Sequence, residues 1–366
     1  MNKSRKIYLD YASSALSNSA NPGAIHELGV KEKNRLEEAR EKVARVLGAH
    51  PDEIIFTFGA TESNNLAILG MPRGHLVTTN IEHASVLEPC KARGKATFVW
   101  VEKNGIVDPQ KIQKALRSNT RLVSVMYANN EIGTIQPIRE IGKVIRHFNK
   151  THNTRVYFHT DAVQAVNYLP VGVEQLGVDM LSLNAAKIYG PKGIGALYVR
   201  RGTLLTPIMF GGNQEFKLRP GTENVEGAVA LACALEETEK IKEKEVKRLT
   251  KLRNHFISRL TLDKGVIVNG DLENRLPNNV NISIPKIPSD LLVIELSARG
   301  IMASAKSACK SGDGKASHVI AAINPAIKET DGSLRFSLGR ETNKSDIDQT
   351  VHALGNILKK LKKWYD

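Results

Sequence analysis

The chain has 366 residues, 41% of them hydrophobic, three cysteines and a formal net charge of +14 at neutral pH. That length holds one large domain with an extensive core plus a smaller one, and no apolar run approaches the roughly 20 residues of a membrane helix, so a soluble protein without a membrane partner is expected. The start MNKSRKIYLDYAS lacks the apolar core of a signal peptide, and Cys90, Cys233 and Cys309 show neither a disulfide framework nor the C-x-x-C spacing of a metal site; this points to the reducing cytoplasm and to no metal.

The positive charge is interleaved with glutamate in amphipathic stretches such as KEKNRLEEAREKVARVL and KIKEKEVKRLTKLRNHF. These read as solvated helix faces, so no direct nucleic-acid site is expected, and the charge serves solubility or an acidic partner. From about Glu53 to Val199, β-branched runs (IIFTF, HLVTT, ATFVWV, RLVSVMY, RVYFHT, DMLSLN, IGALYVR) alternate with helical patterns beginning near Thr61, Ser85, Asp108 and after Pro137. The alternation predicts an α/β fold with a mostly parallel sheet covered on both faces and a ligand site at the carboxyl ends of its strands. A long charged helix follows, from about Val225 to Leu262, with an interruption or bend expected within it. Then come VIVNG, NNVNISI, a helix near Leu291, a Gly/Ser/Lys-rich loop from Ala303 to Lys315, the strand SLRFSL and a terminal helix, which together read as a smaller α+β domain. Cys90 and Cys233, both in helical apolar surroundings, are expected to be inert core thiols.

Five strand ends carry chemistry. Lys187 follows SLNAA and precedes the turn Gly190-Pro191-Lys192-Gly193; Asp161 and Gln164 end another strand; His83 follows HLVTT; Asn130 follows RLVSVMY. After IIFTF comes FGATESNN, where a helix N-terminus, Ala60 and the Thr61 hydroxyl suit a phosphate and Ser63 is a capping candidate. Each residue alone has a plain structural reading. Together they place an amine, an acid, an amide, an imidazole and a phosphate turn on one edge of the sheet, as a pyridoxal-phosphate (PLP) enzyme requires, with Lys187 as the Schiff-base amine and an acid to keep the pyridine nitrogen protonated.

The ordered motifs YLDYAS, NPGAIHELG, GATESNNLAI, EHASVL, NNEIGTIQP, TDAVQ, KIYGPKGIGALYVRR, GGNQE, LRPGTEN, SAC and LRFSLGR, spread over nearly the whole chain, resemble those of the cysteine desulfurases. These are PLP enzymes of the class V aminotransferase fold, fold type I, and the likeness is to the group with its reactive cysteine on a long loop. The resemblance implies a PLP-binding large domain at 10–250 and a small domain at 1–9 and 251–366 that carries the loop. It implies conversion of L-cysteine to L-alanine with a persulfide on Cys309, for iron-sulfur clusters or thiolated nucleosides. Lys187 then holds the cofactor and carries protons, Asp161 pairs with the ring nitrogen, and Gln164 and Asn130 reach the ring hydroxyl side. His83 stacks on the ring and assists proton transfer, Thr61 and Ala60 bind the phosphate with Asn184 nearby, and Thr222 reaches the phosphate site of a second subunit in a homodimer. Arg335 and Asn130 hold the substrate, with Arg340 the weaker candidate for the carboxylate and read rather as structural, and a scaffold protein or a tRNA-thiolation enzyme accepts the sulfur.

Three positions depart from that family's pattern. Asn184 and Ala186 stand where a serine and a histidine usually serve the phosphate; the stretch between Tyr11 and Asn21 is shorter by about one helix; and Ala305 and Lys306 replace a serine and a glycine before the reactive cysteine. Two other readings stay open at this level: another PLP lyase or transaminase, for instance one acting on selenocysteine, and a non-catalytic relative that binds partners in sulfur transfer.

Overall fold

The computed structural model describes residues 12, 20–305, 317–326 and 331–365. Cys309, together with residues 306–316, and the N-terminal segment 1–9 lie outside these. Strands β1 (Ile54–Thr57), β2 (His75–Thr79), β3 (Ala96–Val99), β4 (Thr120–Ser124), β5 (Tyr157–Asp161), β6 (Met180–Asn184) and β7 (Gly195–Val199) form one seven-stranded sheet in the order β1-β7-β6-β5-β4-β2-β3. β2, β3, β4, β5 and β6 pair in parallel, and only β7 runs against both of its neighbours. Helices α1 (Glu27–Leu47), α2 (Ala60–Leu69), α3 (Ala84–Ala92), α4 (Pro109–Ala115), α5 (Ile138–His152) and α6 (Val173–Leu176) lie among these strands in chain order.

With layers on both faces, β1, β2 and β5 are buried at every position, and so their sequences show no polar alternation. The histidine inside the sheet is paired rather than exposed. His159 in β5 meets the Ser124 hydroxyl at 2.8 Å through one ring nitrogen and the Ser182 hydroxyl at 3.0 Å through the other, which ties β4, β5 and β6 together. Burial pushes its pKa down to about 3, so it stays neutral and both nitrogens are used.

Helix α7 (Val225–Leu260) runs unbroken for 36 residues, about 54 Å, in place of the expected interrupted helix. Beyond Gly227 it contains no glycine or proline, the usual causes of a sharp kink. Leu231 and Leu235 near its start belong to the core of the large sheet, whereas Leu249, Phe256 and Leu260 belong to a second core. Between them, Arg248 donates to the carbonyls of Gly339 at 2.8 Å and Thr342 at 2.6 Å, which fastens the helix to the connection between the last strand and the terminal helix. Cys233 is not in the core as expected but exposed, on the helical stripe shared with Glu226, Glu237 and Lys240. The run AVALACALEE is apolar on every side, so its sequence could not reveal which face turns outward. Cys90 is buried, and burial pushes its thiol up to about 12.

The second sheet has β8 (Ile267–Val268), β9 (Asn279–Ile284) and β10 (Gly332–Ser337) in the antiparallel order β10-β9-β8. Val280, Ile282, Leu334 and Phe336 face α10 (Lys344–Tyr365) and α8 (Ser289–Ser297) in the second core. Short helix α9 (His318–Ile323), not expected from the sequence, sends Val319, Ile320 and Ile323 into the core of the large sheet instead. Among the described residues no helix is long and apolar enough to cross a membrane.

Candidate active site

The carboxyl ends of β1, β2, β4, β5 and β6 open onto one cavity of about 390 Å³. Ala60, Thr61, His83, Asn130, Asp161, Gln164, Asn184, Lys187 and Arg335 all line it. Thr222 does not: it borders a separate cleft with Phe58, Gly193 and Arg219. Cys309 lies outside the described residues.

Each wall is set by local chain chemistry. Asp161, the last residue of β5, accepts a hydrogen bond from the Val163 amide at 3.0 Å and one from the Asn64 side chain at 2.7 Å. Burial raises its pKa, while these two donors lower it, and no described residue forms an ion pair with it. A buried carboxylate of this kind is costly unless a cation arrives with a ligand. The protonated ring nitrogen of PLP is such a cation, so the base of the cavity fits that cofactor.

The opposite wall fits its phosphate. Helix α2 begins at Gly59 without a side-chain cap, which leaves its first backbone N–H groups and the positive end of its dipole toward Ala60 and Thr61 on the cavity. Ser63, the expected cap, is instead buried and its hydroxyl meets that of Thr57 at 2.8 Å, because it faces back along β1 one turn into the helix. Gly195 brings β7 against this turn: a Cβ there would lie 2.7 Å from the Gly59 Cα. Asn184 accepts from the Ala186 amide through Oδ1 at 3.2 Å, and its Nδ2 faces the Gly59 position. Ala186 offers no side-chain donor.

Lys187 sits in the short turn after β6, where Asn167 donates to its carbonyl. Two residues on, Tyr189 takes a left-handed φ of 64° and its hydroxyl accepts from the Arg340 amide at 3.0 Å. The Arg340 guanidinium lies 4.0 Å from the Tyr189 ring and donates to the Thr238 hydroxyl at 3.2 Å, and it is not among the residues lining the cavity.

Arg335 on β10 donates to the Asn130 carbonyl at 3.1 Å, and its backbone exchanges hydrogen bonds with Ser304 at 2.7 and 3.1 Å. Beyond the 306–316 segment, the Ser317 hydroxyl donates at 2.5 Å to Glu131, the neighbour of Asn130, and His318 donates to the Glu82 carbonyl at 3.1 Å, beside His83. Glu82 itself is buried and pushed up to about 8 by burial, with Thr79 and the Met126 amide donating to it. Sequence reasoning missed Asn64, Ser85, Asn167 and Glu131. Asn64 left one trace, a polar residue on the buried face of a helix one turn from a phosphate turn.

A mostly parallel sheet, a lysine at its carboxyl edge and a buried acid facing the same cavity define a fold type I, PLP-dependent architecture. The family model for class-V aminotransferases matches residues 1–350. Over 98% of this chain and 96% of the relative, the sequence is 43% identical to cysteine desulfurase IscS of Dictyoglomus turgidum, and over 94% and 86% it is 42% identical to that of Methanosarcina thermophila. A solved NifS-like protein superposes with a TM-score of 0.85 at 35% identity, covering 93% of this chain and 92% of that one. A structure of SspA in complex with cysteine gives 0.73 at 35% identity, covering 88% and 92%. The chain belongs to the class-V aminotransferase family and, within it, to the cysteine desulfurases.

Proposed function

We propose that this chain converts L-cysteine to L-alanine, with PLP anchored on Lys187 and the sulfur left on Cys309 as a persulfide. The observation that carries this is the placement of the flanks of 306–316. Ser304 is fastened to Arg335, which lines the cavity, and Ser317 to Glu131, the neighbour of the cavity-lining Asn130, so the described residues on both sides of 306–316 stand close to the cavity. A simple transaminase needs no thiol there.

When bound, PLP supplies an electron-accepting ring that weakens bonds of the amino acid joined to it. Asp161 would hold a proton at the ring nitrogen, and Gln164 and Asn130 would hold the ring hydroxyl. The α2 N-terminus, Thr61 and Asn184 hold the phosphate, His83 walls the ring, and Arg335 grips the carboxylate of cysteine with its planar fork. Lys187 anchors the cofactor and then carries protons. The Cys309 thiolate attacks the substrate sulfur; an S–S bond forms as the Cβ–S bond breaks, and the carbon keeps that electron pair and takes a proton. Thiol plus cysteine thus becomes persulfide plus alanine, with no external oxidant. The persulfide then passes, in the reducing cytoplasm, to an acceptor that is a scaffold protein or a tRNA-thiolation enzyme. Incubation of the protein with PLP and L-cysteine should yield alanine and protein-bound persulfide in equal amounts in the first turnover. Alanine without persulfide, or pyruvate in its place, would overturn the reading.

The altered phosphate wall predicts a measurable weakness. With no donor at Ala186 and only a neutral amide at Asn184, one hydrogen bond to the phosphate is replaced by water. Such a bond to a charged group is worth about 1.5–3 kcal/mol, roughly tenfold to a hundredfold in affinity. Ala186→His should therefore retain PLP better in dialysis after hydroxylamine has opened the bond to Lys187. Equal loss from parent and variant would show that another group already fills the gap.

The protein acts as a homodimer in this reading, with Thr222 reaching the partner's phosphate site. Phe58, Phe210 and Phe216 are exposed around the cleft and loop that carry Thr222. Glu215, Phe216 and Lys217 are all left-handed, at φ 44°, 56° and 67°. Such backbone costs about 1–3 kcal/mol per residue. The buried Arg40–Glu215 pair, with contacts of 2.8 Å, holds it in place, and the half-exposed Phe216 ring lies over the Arg40 guanidinium at 5.2 Å. Sedimentation should give twice the single-chain mass, and Phe210→Asp should shift it toward the monomer; a parent that sediments as one chain would exclude the dimer.

A further inference from the structure

A directed chain of hydrogen bonds runs behind the cavity from Asp161 to His83. The Asn64 amide donates to Asp161 Oδ2 at 2.7 Å and to the Ser85 hydroxyl at 2.9 Å. That hydroxyl lies 2.7 Å from His83 Nδ1, and the Ser85 backbone amide donates to the same nitrogen at 3.2 Å. Asn64 is fully buried, and Ser85 and Asp161 are buried as well.

The directions of these bonds are fixed by what each group can do. An ionised carboxylate only accepts, so Nδ2 of Asn64, not Oδ1, faces Asp161, and its second hydrogen goes to Ser85 Oγ. Asn64 Oδ1 has no partner among the described residues, so both hydrogen bonds of this side chain are given by Nδ2. Ser85 Oγ therefore accepts from Asn64 and turns its own hydrogen to His83 Nδ1. A backbone N–H cannot reverse, so the second contact to Nδ1 also requires a lone pair there. In the neutral ring the proton is then on Nε2.

We infer that Asn64 and Ser85 are positioning residues that hold His83 as the neutral Nε2–H tautomer, so that His83 gives a hydrogen bond at the cavity and keeps its single ring proton throughout the reaction. A base acting through Nε2 needs its hydrogen on Nδ1, where two donors already point. The proton given up by the substrate goes to the Lys187 amine instead. This deepens the proposed reaction and rests on it for the consequence in turnover; the tautomer rests on the geometry alone.

Two measurements test it. In protein labelled with ¹⁵N at the histidine rings, the His83 resonance, assigned by its loss in His83→Gln, should show a one-bond proton on Nε2 and a bare Nδ1. Ser85→Ala should move the Nδ1 signal and Ser85→Thr, which keeps the hydroxyl, should restore it. A proton on Nδ1, or a Ser85→Ala spectrum identical to the parent, overturns the assignment. In turnover, His83→Gln keeps an N–H donor and should retain kcat within roughly tenfold of the parent, while His83→Leu falls further. If His83 were the base, Gln and Leu would both lose the roughly 10² to 10⁴-fold that a general base supplies, and that outcome sinks the inference. A parent that releases no alanine from cysteine would refute the desulfurase reading while leaving the ring spectrum to decide the tautomer.

Discussion

Lys187→Ala is expected to lose both covalent cofactor retention and turnover, by roughly a thousandfold or more. Lys187 is the only amine among the described residues lining the cavity, so no neighbour is placed to substitute for it. Arg335, the other cationic side chain there, stays protonated at all working pH values and cannot act as a nucleophile. The fold should survive the change, because the side chain is exposed and the turn is held by backbone: the Ile188 and Gly190 amides both donate to the Ala185 carbonyl, at 3.0 and 2.9 Å. Phosphate and ring contacts remain, so the variant should still take up PLP, but reversibly. Borohydride treatment followed by peptide mass analysis should label Lys187 in the parent and no residue in the variant. A label that persists in Lys187→Ala would remove Lys187 from its role.

The strand ends were legible because a doubly covered parallel sheet writes itself as short apolar runs, and the chemistry follows each run at once. Asp161 closes β5, His83 comes four residues after β2, and Lys187 three after β6. What escaped was determined by contacts distant in sequence. Asn64 meets Asp161 across 97 residues and Ser317 meets Glu131 across 186, and no local pattern announces either pair. Cys233 was misplaced for a related reason: in a run apolar on all sides, burial is decided by which neighbour packs there, and α1 and the sheet take the other faces of α7. The expected bend in α7 is absent. Its charges are satisfied along the helix instead, as in the Lys247–Glu243 and Arg248–Glu245 pairs, so the segment has no reason to break.

Cys309→Ser should abolish persulfide formation while leaving cysteine binding intact. In the proposed reading, binding depends on groups fixed by the fold: Lys187 on its turn, Arg335 on β10, and Asn130, whose carbonyl Arg335 itself holds. None of these contacts involves a thiol. The sulfur step does, and a serine hydroxyl is a far poorer nucleophile toward sulfur than a thiolate. The two described cysteines are poor replacements: Cys90 is buried with its thiol pushed up to about 12, and Cys233 lies on the outer stripe of α7. Neither lines the cavity. The flanks of 306–316 bear on the same point, since Ser333 donates to the Ala305 carbonyl at 2.9 Å on one side and Glu131 accepts from Ser317 on the other. Those flanking contacts are untouched by the substitution. The spectral change on adding cysteine should match the parent, and mass analysis after alkylation should find no persulfide. A persulfide mapped to Cys90 or Cys233 in the variant would show that sulfur leaves the cavity by another route, and the assignment of Cys309 would fail.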